Sequence, residues 1–529
     1  MKTQLTLNCL SLVYRSLLLP SLLLIALLLG ARAGTVYVPN FSFETPSVPD
    51  EPPYAAPFLD YWQETSQPTY YNPTNFDNAP WQDLVGAFYN DPNDGAYIDN
   101  ADGVQCGFLQ ALPEVGIFQD YNSYSDTQTG PTHAFNATFK PGHPYYLTAA
   151  LIGGGGNMPV GATLQMLLYY RDSSNNMVAV ASRTVTNTAA LFPNNTNFVD
   201  FQLDVPTVQS NDPWAGQNIG IEFLCTSDFS YLGGYWDVDN VRLLEALNVP
   251  NFSFETPSVP DVSPYADPYL DYWQETPQPA YYDPSEFDNT PWQYLVGEFY
   301  NDPKDGAYID NTDGVQCGFL QSLPGVGIFQ DFNSFSDTQI GPTHAFDATY
   351  NVGKGYNLTV NLIGGGGDMP IGATLQLSLY YRDSSSNMVT VAAETITNSL
   401  SLFPVNTHFV SFELQVPAVK TTDPWAGQTI GIEALCTVDF SDYGGYWDID
   451  NVILSETVAP ALNVTRLTNG EFSFTLQSEP GLAFDILSAT NLSGTNWSTV
   501  ETVTNVTGTT LITAPLTNAP QKFYQAQQL

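Results

Sequence analysis

The sequence predicts an all-β chain: two tandem β-sandwiches of jelly-roll type, then a smaller sandwich. Three observations carry this. Val38–Pro46 recurs as Val249–Pro257, and the same offset of 211 residues relates Trp62 to Trp273, Cys106 to Cys317, Trp214 to Trp425 and Asp239 to Asp450. Within each copy, runs rich in aromatic and β-branched residues alternate with Gly-, Pro-, Asn- and Asp-rich segments, the pattern of strands and turns. The composition agrees, since 40 Gly, 39 Pro, 31 Tyr and 31 Phe suit pleated strands and turns rather than helices.

The elements follow in order. Residues 1–33 start basic at Lys2, run apolar from Leu17 to Leu29 and end in Ala31-Arg32-Ala33. That is the layout of a secretory signal peptide, and the run is short of the ~20 apolar residues a membrane span needs. The expected location is therefore secreted, extracellular or at the cell surface. Residues 34–246 and 247–457 are the two repeats, with strands expected near 104–109, 145–152, 163–170, 177–183, 198–205, 219–225 and 235–243 of the first. Residues 458–529 match neither repeat. Their alternating, Thr- and Asn-rich runs predict a small immunoglobulin-like sandwich.

Charge excludes some partners. The chain holds 13 Lys and Arg against 54 Asp and Glu, for a net charge of −41. Such a surface repels nucleic acid and anionic membranes. It accepts hard cations, which take carboxylate and carbonyl oxygens. Signatures of catalysis are sparse. The histidines share no ligand spacing, no Gly-x-Ser-x-Gly elbow is present, and Gly153–Gly156 lack the following Lys of a phosphate loop.

A series of short motifs runs through each repeat. In the first these are Pro39-Asn40-Phe41-Ser42-Phe43-Glu44, Tyr61-Trp62, Phe118-Gln119, Tyr145-Tyr146-Leu147-Thr148 and Asp239-Asn240-Val241-Arg242-Leu243. The second repeats them from Asn251 to Asn451. The series resembles the jelly-roll domains of exported bacterial proteins related to carbohydrate-binding modules and the galactose-binding fold, a group that includes calcium-dependent cyclases. The tail, with Asn496-Trp497 and Phe523-Tyr524, resembles the small C-terminal β domain of large exported proteins of Verrucomicrobia-type bacteria. The resemblance implies that first and last strands of each repeat lie side by side. It also implies a structural Ca²⁺ where they meet, at Glu44 with Asp239 and at Glu255 with Asp450.

Two further sets of residues are candidates. Loop-borne Trp81, Trp214, Tyr70 and Tyr71, with Trp292, Trp425, Tyr281 and Tyr282 in the second copy, are expected to offer rings on which sugars stack; the alternative is that they pin the loops. Trp62 and Trp236 are expected to be buried. Cys106 with Cys225, and Cys317 with Cys436, are even in number per repeat, so they are either one disulfide each or two buried thiols. The function expected is a non-catalytic secreted protein that binds a polysaccharide or cell-surface glycan, without nucleic acid or membrane insertion. The alternatives are a structural or adhesive surface protein and an enzyme, glycan-active or cyclase-like.

Overall fold

The computed structural model of the chain describes residues 4–6 and most of 34–528, the longest stretches left out there being 491–496 and 516–521. The predicted signal segment, apart from residues 4–6, lies outside the described residues, as do Asn491, Leu492 and Asn496 of the tail. The chain is all-β: among the described residues the only helices are short 3-10 turns such as Trp81–Leu84. Two compact units are present, Thr35–Ala246 and one containing Leu247–Leu529.

The first unit is a sandwich of two antiparallel sheets. One runs Met177–Thr186, Thr163–Arg171, Gly220–Cys225, Gly116–Gln119, Gln63–Glu64. The other runs Val199–Val205, Tyr145–Gly155, Tyr235–Glu245, Gln105–Gln110, Val85–Tyr89, Ala55–Ala56. Thr35–Val36 pairs with the last strand, Leu243 opposite Val36, so first and last strands do lie together. Period-two alternation decides which side chains fill the core. On Thr163–Arg171, Leu164, Met166 and Leu168 point inward. Trp62 and Trp236 are buried in the same core, as expected.

The second repeat has the same two-sheet order over Ala266–Val458 and its own core around Trp273 and Trp447. In the tail, Ala461–Thr468, Glu471–Gln477 and Thr509–Pro515 form one sheet. Phe523–Gln528, Ala483–Ala489 and Ser498–Thr504 form the other, with Gln4–Thr6 at its edge. Phe474, Ile486 and Tyr524 are buried together in the tail.

The four cysteines among the described residues are unbridged. Cys106 sits with Ile98 and Ala150 on the side of its sheet that faces away from the sandwich core, whereas Cys225 is part of that core. A bond between them would have to pass through the sheet. The same holds for Cys317 and Cys436. The disulfide alternative is therefore corrected to buried thiols, whose deprotonation burial disfavours. Alkylation in denaturant without reductant, followed by peptide mapping, is expected to label all four.

Candidate functional site

Four of the eight rings expected as platforms are buried and are not platforms. Trp81 and Trp292 are 4% exposed, and each donates its indole N–H to a backbone carbonyl, of Thr65 and Thr276, at 2.6 Å. Tyr71 and Tyr282 are equally buried, stack on Phe76 and Phe287, and donate to Ala79 and Thr290 at 2.8 Å. Tyr70 and Tyr281 are half-buried, with hydroxyls bonded to the carbonyls of Pro113 and Pro324. Trp214 and Trp425 pack half-buried against the cores. Trp81, Trp292, Tyr71 and Tyr282 fold the long Pro-rich loops down and are buried there, while the other four rings keep part of their surface open.

The carboxylates expected at the strand junction are brought together. Glu44 Oε1 accepts the N–H groups of Val104 and Gln105, both at 2.8 Å. Asp239, fully buried, accepts from Asp102 N at 2.7 Å and from Asn240 N at 2.8 Å. One loop thus ties both acids, and Glu255 and Asp450 repeat the arrangement on Val315, Gln316, Asp313 and Asn451. Burial pushes the Asp239 carboxyl up to about 8, with Asp102 and Glu44 adding to it. Two residues before Asp239, Asp237 keeps a buried Oδ1 without a donor among the described residues. A buried group of hard oxygens fits calcium in donor chemistry. Among the described residues, no three His, Cys, Asp or Glu side chains converge as a ligand set, so backbone carbonyls would have to complete it.

A different cluster has the properties of a reactive site. It lies on the outer face of the five-stranded sheet. Gly220–Cys225 reads Gly-Ile-Glu-Phe-Leu-Cys, with Ile221, Phe223 and Cys225 in the core. Alternation therefore turns Glu222 outward. In register it stands between Phe118 on one neighbouring strand and Leu167 on the other. It is only 8% exposed, and no hydrogen-bond donor among the described residues reaches it. Burial pushes its carboxyl up to about 6, although Arg171 pulls the other way.

Arg171 is not free to neutralise it. Its Nε is 2.7 Å from Asp120 Oδ2, which also accepts the Tyr169 hydroxyl at 2.7 Å. The guanidinium lies 5.5 Å from the centre of the Phe118 ring. Asp120 is itself fixed, accepting Asn122 N at 2.8 Å and donating its N–H to Ser123 Oγ at 2.9 Å. The result is an acid of raised proton affinity, without a hydrogen-bond donor, between two apolar side chains and framed by a Tyr–Asp–Arg group. The second repeat builds the same frame from Asp331, Tyr380, Arg382, Phe329 and Glu433. Neither Asp120 nor Glu222 stands out among the 54 acids by motif. A signal existed: Arg382 is the one arginine of residues 247–457, and Glu433 is a lone charge in an apolar strand.

A protein-family model described as HpiC1-like, HpiC1 cyclase, matches residues 34–244. This match overturns the expectation of a protein without catalytic activity. Among solved structures, the Stig cyclase FisC from Fischerella sp. TAU, in complex with (3Z)-3-(1-methyl-2-pyrrolidinylidene)-3H-indole, is 19% identical, with a TM-score of 0.29 over 41% of this chain and 100% of that one. A cyclase from the same organism, in complex with 4-(1H-indol-3-yl)butan-2-one, gives 19% and 0.29 over 41% and 99%. The tandem CBM22 domains of Paenibacillus barcinonensis Xyn10C are 9% identical, with a TM-score of 0.23 over 71% and 91%. No curated protein matches the chain.

Proposed function

We propose that the chain is an exported cyclase-type enzyme whose first repeat uses Glu222 as general acid. The observation that carries this is the Glu222 carboxyl itself: buried, unpaired and raised to about 6, within the repeat that the cyclase family model covers. An acid catalyst works best when its proton affinity lies near the working pH. The substrate class is an unsaturated, largely apolar molecule, because Phe118 and Leu167 flank the acid. Glu222 gives its proton to an alkene carbon or imine nitrogen. The π-electron pair of a second double bond in the same molecule then closes a carbon–carbon bond onto the cation. A proton leaves the ring and returns to the Glu222 carboxylate. Atoms and electrons balance as an isomerisation, without oxidant or reductant.

A structural calcium ion belongs to the same proposal, held by Glu44 and Asp239 and by Glu255 and Asp450, neutralising buried acids rather than taking part in the reaction.

The reaction is tested with indole-bearing alkenes in D₂O. The expected product is a cyclic isomer carrying one solvent deuterium. Unchanged starting material across the panel, with 4-(1H-indol-3-yl)butan-2-one failing to bind as well, contradicts the proposal.

A second reading, polysaccharide binding, is favoured by exposed rings at equivalent positions: Phe58 at 62% and Tyr269 at 58%, beside Tyr54 and Tyr265. In xylan affinity electrophoresis, Phe58→Ala with Tyr269→Ala is expected to abolish retardation. Equal mobility of wild type with and without xylan removes this reading for that polymer.

A further inference from the structure

Around the buried glutamate, the outer faces of the two repeats agree except beside it. On the Phe118 or Phe329 side they are the same. On the other side Glu222 meets Leu167, whereas Glu433 meets Ser378. Ser378 is 1% exposed, and its hydroxyl donates to Glu433 Oε2 at 3.0 Å. The following strand shows the reverse exchange: Ser182 stands opposite Leu167, and Ala393 opposite Ser378. In the second repeat the hydroxyl has thus moved from the neighbouring strand to the strand that touches the glutamate.

The other charged groups facing Glu433 do not account for a difference. Arg382, held by Asp331 at 2.7 Å, and the Tyr380 hydroxyl, held by the same carboxylate, have direct equivalents in the first repeat. Glu394, on the edge strand, stands opposite Leu377, whose side chain is in the core, and so lies on the other face of the sheet. Ser378 is what remains. A hydrogen bond donated to a carboxylate favours its charged form.

We propose that Ser378 is a positioning residue that holds Glu433 as a carboxylate at neutral pH, so that the second repeat binds ligands presenting an amine or hydroxyl, while Leu167 leaves Glu222 free to carry a proton. This rests on the reading that the sheet face is the site in both repeats. One chain would then hold a proton-donating face and a cation-accepting face of the same build.

The test is a carboxyl titration of the full chain by carbon-13 NMR with labelled glutamate, the two signals being assigned with Glu222→Gln and Glu433→Gln. Glu433 is expected to titrate at lower pH than Glu222. Ser378→Ala and Ser378→Leu should raise its midpoint by about one pH unit, a tenfold change in proton affinity. Leu167→Ser should lower Glu222 by a similar amount, and Ser378→Thr should leave Glu433 in place. Benzylamine at neutral pH is expected to shift the Glu433 signal and not that of Glu222. Equal midpoints that neither Ser378→Ala nor Leu167→Ser moves would overturn the inference, as would benzylamine acting on both glutamates alike. Midpoints that move as expected, in a chain whose Glu222→Gln variant still cyclises its substrate, would keep the inference and sink the catalytic assignment.

Discussion

Glu222→Gln is expected to lower kcat for cyclisation by about 10²–10⁴-fold while leaving KM within about threefold. Glutamine keeps the shape between Phe118 and Leu167 and adds no charge, so the sheet face should stay intact. What it removes is the transferable proton. Because the loss concerns a group that acts in the transition state rather than in binding, it appears in kcat. The variant is also expected to keep its affinity for the substrate, measured by calorimetry. A parallel loss of kcat and binding would instead mean that Glu222 only anchors the ligand.

The second large effect concerns stability against pH. Asp239 and Asp448 are pushed up to about 8 and Glu298 to about 9, in each case chiefly by burial. In the unfolded chain these groups titrate near 4. The folded state therefore binds protons that the unfolded state has already lost. Stability from these groups is fully present below pH 4 and is lost as pH rises through 8 to 9. Each tenfold change in proton affinity is about 1.4 kcal/mol, so each group is worth on the order of 5–7 kcal/mol at most across the window. In chelator, the Tm of both repeats is expected to fall steeply between pH 6 and pH 9. Glu298 marks a difference between repeats, since the first has Ala87 at that place. Its carboxyl accepts Asn251 Nδ2 at 2.9 Å. Glu298→Gln should flatten the alkaline fall of the second repeat alone. Adding calcium is expected to flatten what remains, through Asp239 and Asp450. A Tm that stays level from pH 6 to pH 9 in chelator contradicts this account of the buried acids.

The fold was legible because its signals are local or repeated. Leu164, Met166 and Leu168 alternate with Gln165 and Leu167, and the 211-residue offset shows each strand twice. Burial of Trp62 and Trp236 followed from their place in such runs. The loops were harder. Trp81 and Tyr71 sit among Pro, Asn and Asp, which reads as exposed, yet the chain folds back and seals them against the core with hydrogen bonds to carbonyls. The cysteine question turned on which sheet and which face each thiol occupies, and spacing says nothing of either. Glu222 was hidden for a similar reason. Among 54 acids, a lone charge in an apolar strand is a faint mark, and it is register that sets Glu222 between Phe118 and Leu167 and leaves it without a donor.

The most direct test of the central claim is the pH dependence of kcat for the full chain, compared with Glu222→Gln. The account predicts a rate that is level below about pH 6 and falls tenfold per pH unit above it, as the acid form of Glu222 is used up, with the variant slow and flat throughout. A wild-type profile that is level through pH 6, or one that Glu222→Gln reproduces, would contradict it.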